Sequence, residues 1–198
     1  MTTRAEQKEQ RRQQILFKAL ELFARKGYSD TKIGDIAEAV GMSTGLMFHY
    51  FDSKEQLYEE LVRMGAAYTN MPGELPYRNP AEYFEGFLNA LFGYVGEQPW
   101  VFYMFVLMAQ ARRSEAVPLH VREIAMGVSQ IEQSAKIIEE GQRQGYFREG
   151  DAHLLAFTFW SSVQGIMEQL AVTPGMSAEG EKLPRAEWLL DILLKRKQ

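Results

Sequence analysis

Apolar residues recur at intervals of three and four along almost the whole chain, which is the period of an amphipathic helix. The first run carries Ile15, Ala19, Leu22 and Phe23, and Gly27 follows it as a helix stop. No stretch of useful length alternates apolar and polar residues, as a half-buried strand would. The pattern therefore predicts an all-α fold.

Two short helices are predicted next. Residues 33–40 place apolar side chains on one helical face, with Thr31 as the N-cap and Gly41 as the end. Ser43 then caps a very short helix that runs to about Tyr50. A helix, a tight glycine turn and a short second helix is the spacing of a helix-turn-helix motif, whose second helix enters the major groove of DNA.

The remaining boundaries follow from capping residues, prolines and glycines. In chain order, the predicted helices run from the capping box of Ser53 and Gln56 to about residue 69, onward from Asn79 with Pro80 and Glu82, from Pro99 to about Ala111, from Pro118 to Gly145, from Leu154 to Leu170 with Asp151 as the cap, and from Pro184 to Lys197. A break rich in proline follows residue 70. We therefore predict two domains: residues 1–69, with the helix-turn-helix motif at about 32–51, and a helical domain of residues 70–198.

The amino-acid composition of the chain excludes several classes of function. The chain has 198 residues, 46% of them apolar and 24% charged, which is typical of a globular protein. It has no cysteine, which excludes disulfides, thiolate zinc sites and cysteine nucleophiles. His49, His120 and His153 lie far apart without metal-ligand spacing, so we expect no metal and no cofactor. Without a secretory signal or an apolar run of bilayer length, we expect a cytoplasmic protein with no membrane partner.

The net charge of −4 argues against nucleic-acid binding, but the distribution of charge matters more than the sum. Residues 1–55 hold nine Lys/Arg and eight Asp/Glu, and the rest of the chain is acidic. Five of those cations lie within residues 4–18. Of these, Arg11 and Arg12 either contact DNA or belong to a solvated helix face.

The first third of the chain resembles the DNA-binding domain of the TetR family of transcriptional regulators, over residues 9 to about 69. The matched positions are Ile15-Leu16, Ala19, Leu22-Phe23, Gly27-Tyr28, Ile36-Ala37, Gly41, Ser43, Gly45, Phe48-His49-Tyr50-Phe51, Ser53-Lys54-Glu55 and Leu57. The chain length and the all-helical remainder also fit. The resemblance implies a transcriptional regulator and not an enzyme.

The resemblance also implies a set of DNA-contacting residues spread over the motif. They are Thr31, Lys32, Ser43, Thr44, Gly45, Leu46, Phe48, His49, Tyr50 and Lys54. Thr44 stands where the family often has a basic residue, Leu46 where it has a hydroxyl residue, and Phe48 where tyrosine is common. Leu46 can still contact a thymine methyl group.

Some of these residues have a second interpretation. Tyr50 belongs either to the core or to the DNA contact, His49 lies either at DNA or only at the surface, and Phe51 is expected in the core. Gly41-Met-Ser43-Thr-Gly45 also matches the nucleophile elbow of serine hydrolases, which needs a strand before the serine. The preceding residues have helical periodicity instead, so we expect no hydrolase.

The second predicted domain concentrates large apolar side chains. Residues 83–105 contain nine of the chain's 24 aromatic residues. They form either an ordinary core or, in addition, the walls of a cavity for a small, largely apolar effector, as in TetR-like proteins. The candidate lining and anchoring residues are Phe84, Phe87, Trp100, Tyr103, Met104, Met126, Gln130, Trp160, Gln164 and Glu168.

Small residues form a stripe on the helix predicted over 154–170, which lets another helix approach closely. The partner lies either within the chain or, as the resemblance implies, across the two-fold axis of a homodimer. The candidate interface residues are Thr158, Ser161, Ser162, Gly165, Ile166, Trp188, Leu189 and Ile192. A dimer would space two recognition helices by about 34–36 Å, one turn of DNA, and so read a palindromic operator.

The predicted function is a homodimeric, ligand-responsive repressor of transcription. Effector binding would move the helix of residues 54–69 and spoil the spacing of the recognition helices. The alternative is a helical small-molecule-binding or sequestering protein without specific DNA binding, which the net charge and the residues at Thr44 and Phe48 favour.

Overall fold

The computed structural model describes residues 3–70, 77–98, 100–173 and 183–195. In this part of the chain the structure is all-α, as predicted, and the one extended pairing is an isolated antiparallel bridge between Phe147 and Leu194. The helices are α1 (Arg4–Asp30), α2 (Ile33–Ala39), α3 (Thr44–Met47), α4 (Lys54–Asn70), α5 (Pro80–Glu97), α6 (Trp100–Arg113), α7 (Leu119–Met126), α8 (Gln130–Arg143), α9 (Ala152–Val172) and α10 (Ala186–Leu190). Among the described residues, no helix combines the length and apolar character that a bilayer span requires.

Helix α1 carries the predicted apolar stripe, and Ile15, Ala19 and Phe23 are fully buried. Gly27 has φ +83°, a left-handed conformation that favours glycine, so the predicted interruption of the helix is confirmed there. The N-cap predicted for the next helix is wrong. Lys32 occupies that position, and its backbone N–H donates to the Asp35 carboxylate (3.3 Å).

The long helix predicted from Pro118 to Gly145 is also wrong. Gly127 ends α7, and Ser129 caps α8 by accepting a hydrogen bond from the backbone N–H of Glu132 (3.2 Å). The glycine ends one helix, and the capping serine two residues later begins the next. The apolar period continues across both residues, so the period alone predicted a single long helix. Gly145, with φ +79°, does lie just past the end of α8.

Helix α3 ends at Met47, before the predicted end at about Tyr50. Several other predicted boundaries are confirmed. Asn79 accepts the backbone N–H of Glu82 at the start of α5, with Pro80 as the first helical residue, and Asp151 caps α9. The last helix ends at Leu190, earlier than predicted, because the chain then turns and pairs with residues 146–148. The break at 71–76, the helix start at Pro99, the loop at 174–182 and residues 196–198 lie outside the described residues.

Contacts between Cα atoms divide the chain into two compact units. The first comprises Met1–Ala66 and Tyr103–Gly127, and the second comprises Ala67–Phe102 and Val128–Gln198. The first unit buries residues of α1, α2, α3 and α4, including Leu16, Ile36 and Leu61. In the second unit α8 packs along α9, and α10 packs against α5. Residues 103–127, which the sequence assigned to the second domain, thus pack with the first unit.

Candidate nucleic-acid interface

The turn between α2 and α3 is held by backbone hydrogen bonds. Gly41 has φ +67°, which lets its N–H donate to the Glu38 carbonyl (3.0 Å) while the N–H of Met42 reaches the Ala37 carbonyl (2.8 Å). Ile36 is fully buried beneath this turn. The glycine therefore fixes the angle at which α3 leaves α2, and the predicted helix-turn-helix is present.

Helix α3 is anchored on its inner side. Met47 is fully buried and Phe51 is 1% exposed, so Phe51 belongs to the core as expected. Ser43 is the N-cap, and its hydroxyl accepts the backbone N–H of Leu46 (3.2 Å). Helix α2, and not a strand, precedes Ser43, so the context that a nucleophile elbow needs is not what the chain forms there.

The outer side of α3 and of the turn after it is exposed. Leu46 is 45% exposed and Phe48 is 48% exposed, which are large values for apolar side chains. Thr44, Gly45 and His49 are also exposed, while Tyr50 is half-buried. Most of the residues that the sequence assigned to DNA contact thus lie together on one accessible surface, which we call the α3 surface (residues 44–46 and 48–50).

Thr31 does not belong to an accessible surface, and the DNA contact that the resemblance implies for it is wrong. Its side chain is fully buried. The hydroxyl donates to the carbonyl of Gly27 (2.8 Å), with the carbonyl of Leu22 at 3.3 Å. A buried hydroxyl that satisfies helix-end carbonyls cannot also reach a phosphate, so Thr31 is structural. Lys32, the next residue, is exposed.

Lys54 has a structural role that the sequence did not show. Its Nζ donates to the carbonyl of Tyr28 (2.8 Å) and lies 4.3 Å from the centroid of the Tyr28 ring. This cation–π contact joins the first residue of α4 to the end of α1. The Tyr28 ring in turn packs edge-on against Tyr58 at 4.8 Å.

Two arginines of α1 hold the motif in place, and sequence reasoning had left their role open. Arg11 donates to the carbonyl of Val40 (2.9 Å), the C-cap of α2. Arg12 forms an ion pair with Glu60 (2.5 Å) and lies 4.9 Å from the Phe51 ring centroid. Both guanidinium groups therefore bind the protein itself. The sequence signal was only their place in a cluster of cations, which does not distinguish anchoring from DNA contact.

A groove of about 320 Å³ lies beside the α3 surface. Its walls come from the first turns of α1 and from the residues after α3, and they are Ala5, Lys8, Glu9, Arg12, His49 and Tyr50. Lys8 was not among the predicted site residues. Its place in the basic stretch 4–18 is the signal that could have found it.

Ionisable groups of the first unit are perturbed by hydrogen bonds and by burial. The pKa of Asp35 is lowered, first by the hydrogen bond from the Lys32 backbone and then by Lys26. Burial raises the pKa of the Tyr58 phenol and, with the nearby Glu55, that of Tyr28. Each of these shifts is caused by a helix cap or by packing within the first unit.

The candidate effector residues are divided between the two compact units. In the first unit, Tyr103 accepts a hydrogen bond from Arg25 (2.7 Å), Met104 packs against Gly65, and Met126 is 55% exposed. The remaining candidates, Phe84, Phe87, Trp100, Gln130, Trp160, Gln164 and Glu168, lie in the second unit.

Within the second unit, several of these candidates are engaged in packing. The Phe84 ring lies 5.0 Å from that of Phe159, and the Trp160 ring lies 4.9 Å from that of Phe87. The indole N–H of Trp160 donates to the buried hydroxyl of Ser134 (2.8 Å). Gln164 donates to Glu168 (2.9 Å), so the two predicted polar anchors are hydrogen-bonded to each other.

Most candidate dimer residues lie on the exposed side of α9. Thr158, Ser161 and Gly165 are exposed, Ser162 and Ile166 are half-buried, and the neighbouring side chains of Leu154, Phe157 and Val172 are 63%, 54% and 71% exposed. On α10 and after it, Trp188 is 63% exposed and Ile192 is half-buried. Leu189 is 6% exposed, because it packs inside its own unit, and is corrected here to an intramolecular core residue.

The helix-turn-helix with an accessible second helix defines a class of DNA-binding proteins. Residues 15–61 match the family of bacterial regulatory proteins called the tetR family. The repressor KstR2 of Rhodococcus jostii strain RHA1 is 43% identical over 53 residues, which cover 27% of this chain and 26% of that protein. KstR2 of Mycobacterium tuberculosis strain H37Rv is 27% identical over 143 residues, 70% of each chain.

A solved structure extends the likeness over nearly the whole chain. The TetR family regulator PfmR from Thermus thermophilus has a TM-score of 0.70 and 27% identity, and the match covers 92% of this chain and 99% of that one. Residues 15–61 thus form a DNA-binding domain of the tetR family of bacterial regulatory proteins, and over most of its length the chain is similar to TetR family transcriptional regulators. The chain is a DNA-binding transcriptional regulator.

Proposed function

We propose that the chain is a homodimeric repressor that binds a palindromic operator through α3 and is released by a small, largely apolar effector. The observation that carries the proposal is the α3 surface, which is exposed although it bears large apolar side chains. Monomeric proteins seldom leave such groups exposed together without a binding partner. A repressor of this kind acts in the cytoplasm, where the DNA is.

The proposed DNA contacts are the residues of the α3 surface with Lys32 and Lys54 at its margins. Ser43 caps α3 and fixes its start, and its side chain is already used in that bond. Lys54 keeps two of its three N–H groups for phosphate after the bond to Tyr28. Lys8, in the adjacent groove, is added as a phosphate contact because it faces the same side as His49 and Tyr50.

The proposed dimer interface is the exposed stripe of α9 with Trp188. Leu154, Phe157, Ser161, Gly165 and Val172 follow one another at helical spacing on the side away from the buried residues of α9. A Cβ added to Gly165 would meet nothing within 4 Å, so this position is open. An apolar stripe with a small residue near its middle suits the close approach of a second copy.

The proposed effector site lies in the second unit, beside Phe87 and Trp160. These two rings offer an apolar wall, and the Gln164–Glu168 pair offers polar atoms to orient a ligand. Binding there would favour one of two conformations of the dimer and lower operator affinity by the difference in its affinity for them.

The test is a mobility-shift titration of the full-length chain with the DNA that flanks its own coding region, at two salt concentrations and with non-specific competitor. A discrete band that resists competitor and weakens steeply with salt would support the proposal. A library of random duplexes serves as the second source of operator. If neither source yields a bound sequence, the proposal fails and the sequestering protein becomes the better interpretation.

A further inference from the structure

The segment that contains α3 has an unusual amino-acid composition for a helix that recognises DNA. Residues 43–51 contain no Arg, Lys, Asp, Glu, Asn or Gln. Those are the side chains that recognise guanine, cytosine and adenine through pairs of hydrogen bonds in the major groove. Sequence recognition by α3 is therefore left to single hydrogen bonds from its Ser, Thr, His and Tyr side chains and to apolar contacts.

Two large apolar side chains stand at the edges of the α3 surface. Successive helical residues are about 100° apart, so Leu46 and Phe48 lie on either side of the buried Met47. Both are nearly half exposed. Gly45 lies opposite Met47, between them, and a Cβ there would meet nothing within 4 Å. The exposed face thus has a bare centre, where the backbone can approach a partner closely, and two apolar margins.

We propose that α3 recognises the 5-methyl groups of thymines in the operator through Leu46 and Phe48; this rests on the proposed function. Among the base edges of the major groove, the thymine methyl is the apolar group. Contact with it removes apolar surface from water on both partners. A purine at the same place would present its N7 and its 6-amino or 6-carbonyl group, and burying these polar groups against Leu46 or Phe48 would leave them without hydrogen bonds.

The experiment replaces thymine by deoxyuridine in the operator. Full-length protein first selects its operator from a library of random duplexes, and each thymine is then replaced singly. Deoxyuridine keeps the base pair and the O4 acceptor and lacks only the methyl group. For wild type we expect about fourfold weaker binding for each contacted methyl, the factor that corresponds to one buried methyl or methylene group.

Leu46→Ala and Phe48→Ala separate a contact from an effect on DNA shape. Consider an operator position that Leu46 or Phe48 contacts in wild type. The variant that lacks that side chain is expected to bind the thymine and the deoxyuridine form of that position equally well. A change in the duplex alone would persist in both variants. Leu119→Ala removes another exposed leucine, 59% exposed on α7, and is the matched control that should keep the full preference for thymine.

The outcomes are distinct. Failure to select any operator would overturn the proposed function and this inference with it. Selection of an operator that binds equally well with deoxyuridine at every position would overturn the inference alone. A preference for thymine that survives in both Leu46→Ala and Phe48→Ala would also overturn it, because the methyl groups would then be sensed elsewhere or through the duplex.

Discussion

Gly45 is a position of α3 that the protein itself leaves empty. Its backbone does not need glycine, since it lies within a helix and is not among the glycines with positive φ. A Cβ there would meet nothing within 4 Å of the protein. In our proposal the absence of a side chain at this position lets the DNA backbone or base edges approach α3 closely.

We predict that Gly45→Ala leaves the free energy of unfolding unchanged or raises it by up to about 1 kcal/mol, as for other glycines replaced within helices. Operator affinity should fall at least tenfold. Urea unfolding and operator titration measure the two quantities. Gly86→Ala on α5, where a Cβ also meets nothing, is the control and should change stability alone. Unchanged affinity in Gly45→Ala would mean that α3 does not approach DNA closely.

Thr31 and Thr44 are a contrasting pair, one buried and one exposed. Thr31→Val keeps the shape and removes the hydroxyl that satisfies the Gly27 carbonyl. We expect it to lower the free energy of unfolding by about 1–2 kcal/mol and to leave the salt dependence of DNA binding as in wild type. Thr44→Val should do the reverse, weakening operator binding without a measurable loss of stability. A reduced salt slope in Thr31→Val would restore the DNA contact that the resemblance implies for Thr31.

Tyr58 makes stability depend on pH in the alkaline range. Its ring is fully buried, and its hydroxyl oxygen has no hydrogen-bond partner among the described residues. Burial raises its pKa above the ordinary value of 10. The folded chain therefore holds this proton to higher pH than the unfolded chain does, so its contribution to stability is complete below pH 10 and is lost as pH rises beyond it.

We predict that Tyr58→Phe is as stable as wild type or more stable at neutral pH, by up to about 1 kcal/mol, because an unpaired buried hydroxyl is removed. Between pH 9 and 11 its free energy of unfolding should fall less steeply than that of wild type. Urea unfolding across this range measures both. Tyr94→Phe, in which the lost hydroxyl belongs to a tyrosine that is 60% exposed, should keep the wild-type slope. Equal slopes in Tyr58→Phe and wild type would contradict the burial argument.

At the scale of the elements, caps and glycines predicted boundaries better than the apolar period did. The period followed α1, α2, α5 and α9 correctly, since each buries one side against its own unit. It also ran on through the break between α7 and α8, because buried apolar residues lie on both sides of it, at Val121 and Ala125 and at Ala135 and Ile138. Gly127 and Ser129 were visible signals there, but a glycine within a helical pattern does not by itself end a helix.

Gly141 shows packing that no local pattern reveals. It lies on α8, and a Cβ built on it would come within 2.1–2.4 Å of the Phe147 ring. That ring is 1% exposed and packs against Phe84 at 5.7 Å, so it has little room to move. The close approach of ring and helix depends on the fold of the whole second unit.

We expect Gly141→Ala to lower the free energy of unfolding by about 1–3 kcal/mol through overpacking, despite the better helix propensity of alanine. Thermal and urea unfolding measure this, with Gly86→Ala again as the helical glycine that should tolerate the change. A Gly141→Ala protein as stable as wild type would show that the Phe147 ring can shift at no cost.

At the scale of the whole molecule, the candidate DNA-binding surface was largely predictable from the sequence and the proposed effector site was not. The α3 surface is built from residues close in sequence, so a motif of spacing and turn chemistry was enough to find it. The DNA contact predicted for Thr31 was wrong because the sequence does not show whether a polar side chain at a helix end faces water or a backbone carbonyl. The effector candidates come from helices far apart in the chain, and aromatic residues alone do not distinguish a core from a cavity wall.

The proposed dimer explains how so short a recognition helix can select an operator. A single four-residue helix contacts few bases, whereas two of them one DNA turn apart read a palindrome.

We predict that Phe157→Asp yields a folded monomer. Its side chain is 54% exposed in the protomer, so the charge should leave the helical circular dichroism unchanged. In a dimer interface the same charge would be buried without a partner, which is strongly unfavourable. Sedimentation velocity should report half the wild-type mass, and operator affinity should fall at least a hundredfold while weak binding to a half-site remains. Leu119→Asp, which places the same charge at another exposed apolar residue, should sediment and bind as wild type does. If Phe157→Asp remained dimeric, the exposed stripe of α9 would not be the interface.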